Sequence, residues 1–187
     1  MDSVFGRFIV DIQRDAYNRE MELNNGVKLY IDPSYKPTHH AKQEGVVYAS
    51  PRTSSINRGD TLFFHYTVIE MEGALAFIDG EEKCLVPEDS VFFVKRQNSL
   101  IWESFNDTVA VVPHTLPEKL AGGLQLRPEG IKSERQGTVL VHPNREMVGQ
   151  KVSFHPRCAF ENRLGKRDVY VMHEEDLDGA LVDWLEE

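Results

Sequence analysis

Histidine and cysteine are the residues with which to begin in this 187-residue chain, because imidazole and thiolate groups hold metals and activate nucleophiles. His39-His40 lies on an extended, proline-flanked segment, where adjacent side chains point to opposite faces. His65 stands alone, and His155-Pro156-Arg157-Cys158 offers two donors where a closed zinc site takes four. Cys84 and Cys158 are far apart, so neither a disulfide framework nor a metal site follows from them, and a reducing cytoplasm fits best. The acidic clusters Glu81-Glu82, Glu174-Glu175-Asp176 and Glu186-Glu187 read as solvated turns rather than as paired catalytic carboxylates. No dinucleotide fingerprint, phosphate loop or nucleophile elbow occurs in the sequence. The expectation is a non-enzyme with no catalytic residue, no metal and no cofactor.

Binding chemistry is easier to find. Ala121-Gly122-Gly123-Leu124-Gln125-Leu126 places two apolar side chains after a pair of glycines, and the run 127–136 that follows has only Ile131 as a strongly apolar residue. That pattern predicts an exposed, mobile binding loop over 116–136. The competing reading makes Leu124 and Leu126 core residues of an ordinary hairpin. A weaker copy, Gly26-Val27-Lys28-Leu29, occurs about one hundred residues earlier within a loop predicted over 14–43. Its alternation also fits a short edge strand.

The elements that would position these loops are short strands. Runs at 8–12, 45–49, 61–66, 74–78, 83–86 and 91–94 are rich in β-branched and aromatic residues, and Asp79-Gly80 predicts a hairpin turn. Residues 13–22 lack a helical stripe and read as loop, while the acidic stretch from Glu174 predicts a short helical turn and an amphipathic end. Leu100-Ile101-Trp102 is expected to pack on something. With 21 basic and 30 acidic residues the net charge is −9, which argues against broad binding to nucleic acid or to an anionic membrane. No apolar run is long enough to span a bilayer, and no secretory signal opens the sequence.

The series of elements then repeats. Val109-Ala110-Val111 answers Phe8-Ile9-Val10, and the segment 136–141 answers 44–49. Val148-Gly149-Gln150-Lys151-Val152-Ser153-Phe154 answers Arg58-Gly59-Asp60-Thr61-Leu62-Phe63-Phe64, and Val169-Tyr170-Val171-Met172 answers Cys84-Leu85-Val86-Pro87. Landmarks in a shared order indicate a tandem duplication. The predicted domains are 1–97 and 105–187, joined by a linker over 98–104.

From Asn106 to about Val182 the second half resembles the GroES-like co-chaperonin family, through Asp107-Thr108-Val109-Ala110-Val111, the Gly123-Leu124-Gln125-Leu126 loop, the strand at 135–140, Val148 to Phe154, and the stretch 168–177. The first half is similar but more divergent. The resemblance implies an all-β protein of two tandem GroES-like small β-barrels with little helix. It implies a co-chaperonin that caps a GroEL-like chaperonin ring and assists ATP-dependent protein folding, ATP being bound by the partner. Gly123, Leu124, Gln125 and Leu126, with Gly26, Val27, Lys28 and Leu29, would then be the chaperonin-binding residues. A homo-oligomeric ring is expected, in which either one half of each chain forms the ring or the symmetry departs from the sevenfold one of the family. The hairpin that roofs the dome in bacterial members is shortened at 50–57 and at 142–147, so such a ring would be open at its top. The alternative is a structural or interaction subunit that uses GroES-like barrels in a larger assembly, for example a phage particle, without binding a chaperonin.

Overall fold

Alternation of side chains decides the first strand: Phe8 and Val10 are fully buried, while Arg7 and Ile9 turn to the other face. The computed structural model describes residues 6–12, 20–22, 26–30, 41–116, 131–165 and 167–180. The chain divides into two compact units, Met1–Asn106 and Asp107–Glu187. The division falls just beyond the predicted linker, whose residues Trp102–Ser104 form a strand of the first unit.

The first unit contains β1 (Arg7–Asp11), β2 (Glu20–Glu22), β3 (Lys28–Tyr30), β4 (Glu44–Ala49), β5 (Thr61–Phe64), β6 (Leu75–Ile78), β7 (Glu81–Pro87), β8 (Val91–Lys95) and β9 (Trp102–Ser104). A single helical turn, α1 (Thr67–Glu70), buries Val68 and Ile69 against the core. Strand order in the main antiparallel sheet is β6-β7-β1-β4-β5-β8-β9. Phe8, Val10, Val47, Leu62, Phe64 and Val86 lead its core.

The second unit contains β10 (Thr108–Leu116), β11 (Ile131–Val141), β12 (Lys151–Phe154), β13 (Phe160–Leu164), β14 (Arg167–His173) and β15 (Leu177–Ala180), in the antiparallel order β13-β14-β10-β11-β12-β15. Replacing β13, β14, β10, β11, β12 and β15 by β6, β7, β1, β4, β5 and β8 reproduces the first sheet except for β9. The core is smaller: Val109, Val111, Val139, Val152, Phe154 and Met172. The all-β expectation holds. Among the described residues, neither sheet closes on itself by strand pairing.

The two copies agree in detail. Each first strand shifts register at the same place on its second strand, between Ile9 and Val10 and between Ala110 and Val111. Further along each pair, Gly45 and Gly137 lie where the two strands approach closely: a Cβ would lie 2.4 Å from Val10 Cγ1 in one copy and 2.4 Å from Val111 Cγ1 in the other. Gly59 and Gly149 hold φ of +92° and +88°, and each N–H donates at 2.9 Å to the carbonyl of Val47 or Val139. Only glycine adopts that turn without strain. Thr67 N–H donates to His65 Nδ1 at 3.2 Å, and Arg157 N–H does the same to His155 Nδ1 at 3.3 Å.

Three expectations need correction. Val171 lies opposite Ala110 as Leu85 lies opposite Ile9, so Val169-Tyr170-Val171-Met172 answers Lys83-Cys84-Leu85-Val86, one residue earlier than the sequence match. Both segments are apolar on alternate and intervening positions, and a period-two pattern of that kind does not fix register. Residues 20–22, read as loop, pair as β2 with β3. The short helical turn expected from Glu174 is present as a single 3₁₀ turn over Glu174–Asp176, and the chain then enters β15; residues 181–187, in the expected amphipathic end, lie outside the described set. Leu100 and Ile101, expected to pack, are 96% and 68% exposed on the β8–β9 turn.

Candidate docking surfaces

The second predicted loop leaves the sheet from a paired stem. β10 and β11 run past the body of the sheet, with Thr115 opposite Lys132 and Leu116 opposite Ile131. Lys132 reaches across the end of β10 to Asp168 at 2.7 Å and Glu161 at 3.3 Å. Burial would lower its pKa, but the two carboxylates outweigh that and raise it. His114 Nε2 lies 3.0 Å from Thr138 Oγ1, and burial together with Lys151 holds its pKa below the usual imidazole range. The expected loop over 116–136 is therefore shorter at its C-terminal side, since 131–136 belongs to β11. Gly123, Leu124, Gln125 and Leu126 fall within 117–130, outside the described residues.

The first predicted loop contains a hairpin of its own. Glu20, Met21 and Glu22 lie opposite Tyr30, Leu29 and Lys28, in a two-stranded sheet that, among the described residues, forms no ladder with the main one. Gly26 turns the chain with φ +77° in open space, Val27 is 49% exposed, Lys28 is exposed and Tyr30 is 84% exposed. Of the two readings left open by the sequence, the short strand describes Lys28 and Leu29, and Gly26-Val27 leads into it. Both excursions leave from the same place, between the first and second strands of their repeats.

A third feature escaped the sequence. A groove of about 280 Å³ beside β12 and β15 is lined by Arg135, Gln136, Ser153, Phe154, His155, Pro156 and Asp178. The matching position of the first unit is filled with aromatic rings. Phe63 stacks on Phe93 with centroids 5.9 Å apart and meets Trp102 edge-on at 6.2 Å, and Phe92 lies against His65. Ser153, Gly179 and Asp178 stand where the first copy has Phe63, Phe93 and Phe92. Comparing the repeats residue by residue, in corrected register, would have revealed the exchange.

Burial, then Glu82, pushes the Cys84 thiol up to about 12, which leaves no thiolate to act as a nucleophile. The Cys158 thiol is raised first by its hydrogen bond to Asp176. Burial lowers His65. Among the described residues no three His, Cys, Asp or Glu side chains gather at a metal site, while His39 and His40 lie outside that set. No helix among these residues is long and apolar enough to cross a membrane. No protein-family model matches this chain, and no curated protein matches it in sequence.

Proposed function

We propose that this chain is a non-enzymatic co-chaperonin of two tandem GroES-like barrel units, which caps a GroEL-like chaperonin ring in the cytoplasm and assists its ATP-dependent folding cycle. The observation that carries the reading is the pair of excursions, placed alike in two topologically matching sheets, with Gly123-Leu124-Gln125-Leu126 in one and Gly26-Val27-Lys28-Leu29 in the other. Leu124 and Leu126 supply the apolar contacts. Each leucine buried at a partner contributes about 1.5–3 kcal/mol. Several loops on one assembly then gain affinity through effective concentration, which suits a cap that must also be released.

Leu124→Asp with Leu126→Asp should abolish co-elution with an ATP-loaded chaperonin, since about 3 kcal/mol lost per loop is more than a hundredfold in affinity. Val27→Asp with Leu29→Asp should weaken capture less. Wild-type binding by the first double variant would show that this loop does not dock.

A second reading is favoured by the polar centres Gln125 and Lys28 and by the short connections at 50–60 and 142–150. In it the same units serve as a structural subunit of a larger assembly, and the wild-type chain does not co-elute with a chaperonin at all.

A further inference from the structure

An open row of backbone groups beside apolar side chains recruits other strands, and folds usually blunt such an edge with charge. β6 is not blunted. It reads Leu75-Ala76-Phe77-Ile78, ends the first sheet among the described residues, and leaves Leu75 36% and Phe77 77% exposed. Leu85 N–H donates to the Ala74 carbonyl at 2.7 Å, so Ala74 and Leu85 form a hydrogen-bonded pair. Alternation along the antiparallel ladder then turns the N–H and C=O of Ala76 toward β7 and those of Leu75 and Phe77 outward. The outward backbone groups and the exposed apolar side chains belong to the same two residues.

The second repeat carries the same strand with different residues. β13 is the counterpart of β6 and also ends its sheet among the described residues. Leu75 and Phe77 lie opposite Cys84 and Glu82, and Glu161 and Arg163 lie opposite Tyr170 and Asp168, which hold the equivalent places. Charges therefore blunt the edge of the second unit, where Glu161 also binds Lys132 at 3.3 Å. The strand forms with glutamate and arginine at these positions, so the sheet itself does not require leucine and phenylalanine there.

The charge around the two edges differs as strongly. From Glu70 to Glu82 the chain has five acidic residues, Glu70, Glu72, Asp79, Glu81 and Glu82, and no basic one. From Phe160 to Asp168 it has two acidic residues and three basic ones. Glu81 is engaged by Lys83 and Asp79 by the Tyr48 hydroxyl, which leaves the surroundings of β6 negative. Met71, 49% exposed between Glu70 and Glu72, adds a further apolar side chain.

We propose that the outer edge of β6 takes an extended, basic segment of a partner protein as an added strand. The residues facing Leu75 and Phe77 exchange backbone hydrogen bonds with them, apolar side chains of the segment cover the Phe77 ring, and its lysines or arginines answer the carboxylates. Charge selects this occupant. A second copy of β6 would bring one acidic stretch against another, and like charges across a strand pair are destabilising. The surface uses neither predicted docking loop, so strand addition and chaperonin capture can each fail without the other.

The probe is a short fluorescein-labelled peptide that alternates valine and lysine, offered to the full-length chain. Its fluorescence anisotropy should rise on binding, the affinity should fall as salt is added, and hydrogen exchange at the Leu75 and Phe77 amides should slow. Leu75→Glu with Phe77→Arg, which installs the residues of the second repeat, should weaken binding about tenfold or more. Glu72→Gln with Glu82→Gln leaves the apolar edge in place and should weaken binding about threefold or more while flattening its salt dependence. No binding overturns the proposal, as does equal binding of a peptide with glutamate in place of lysine, or binding that leaves the two amides unprotected. Self-association of the wild-type chain that Leu75→Glu with Phe77→Arg abolishes would assign the edge to a second copy instead. If that double variant does not fold, the glutamine variant and the exchange measurement on the wild-type chain decide the matter.

Discussion

Asp60 and its counterpart Gln150 show how far two copies of one turn can diverge. The Asp60 side chain is 5% exposed; its Oδ1 accepts from Gln97 N–H at 2.9 Å, and its Oδ2 accepts from Asn57 N–H and from Arg96 Nη1, both at 3.0 Å. Burial alone would raise this carboxyl, but the two backbone donors and the guanidinium outweigh it and hold its pKa below the usual carboxylate value. The carboxylate therefore stabilises the fold fully above the unfolded pKa of about 3.9, and the contribution is lost as pH falls through the lower folded value. Asp60→Asn should cost about 2 kcal/mol at neutral pH and flatten the fall of the thermal midpoint below about pH 4. A variant with the wild-type acid profile would show that other carboxylates set it. Lys83 offers a parallel contrast. Its ammonium, 3% exposed, binds Asp11 at 3.0 Å and also Glu81, whereas Val169 and Val112 fill the places of Lys83 and Asp11 in the second copy. An apolar pair replaces an ion pair that is buried at Lys83 and exposed at Asp11, an exchange that folds tolerate when both partners change together.

At the scale of elements, the close approach of each first strand to its second is what requires glycine on the second. A Cβ on Gly45 would also lie 2.7 Å from the Asp11 carbonyl oxygen, and one on Gly137 would lie 2.4 Å from that of Val112. Backbone atoms cannot swing aside, so Gly45→Ala and Gly137→Ala should each destabilise by about 1–3 kcal/mol, read as a lower midpoint in urea. If both alanines leave the midpoint unchanged, the close approach is not as described. The positions of these strands were legible in the sequence because β-branched alternation and turns such as Asp79-Gly80 are local signals. The partner of β3 was not: Glu20-Met21-Glu22 is a poor strand by composition and is held by the strand opposite. The register of β14 was illegible for the opposite reason, since Val169, Val171 and Met172 are all buried, and burial on both faces erases the alternation.

For the whole molecule, the division between Asn106 and Asp107 leaves β9 with the first unit. Residues 1–106 expressed alone should unfold cooperatively with a β-rich circular dichroism spectrum, because their sheet retains all seven strands and its own core. Residues 1–97, which end before β9, should be less stable, since they uncover Phe63 and Phe93 where Trp102 packs and release Arg96 from Glu103. Equal thermal midpoints for the two fragments would show that β9 contributes little.

The duplication, the β-rich class and the two places where apolar residues follow glycine in a polar setting were determined by the sequence alone, because each is written in residue types a few positions apart. Gly123, Leu124, Gln125 and Leu126 remain a reading of sequence, in an excursion whose stem at Leu116 and Ile131 the fold supplies. Strand order, register and the use of 102–104 as the last strand of the first sheet were decided only by the tertiary structure. Those features depend on which distant edges meet, and the sequence of Trp102-Glu103-Ser104 names no partner until β8 is seen beside it.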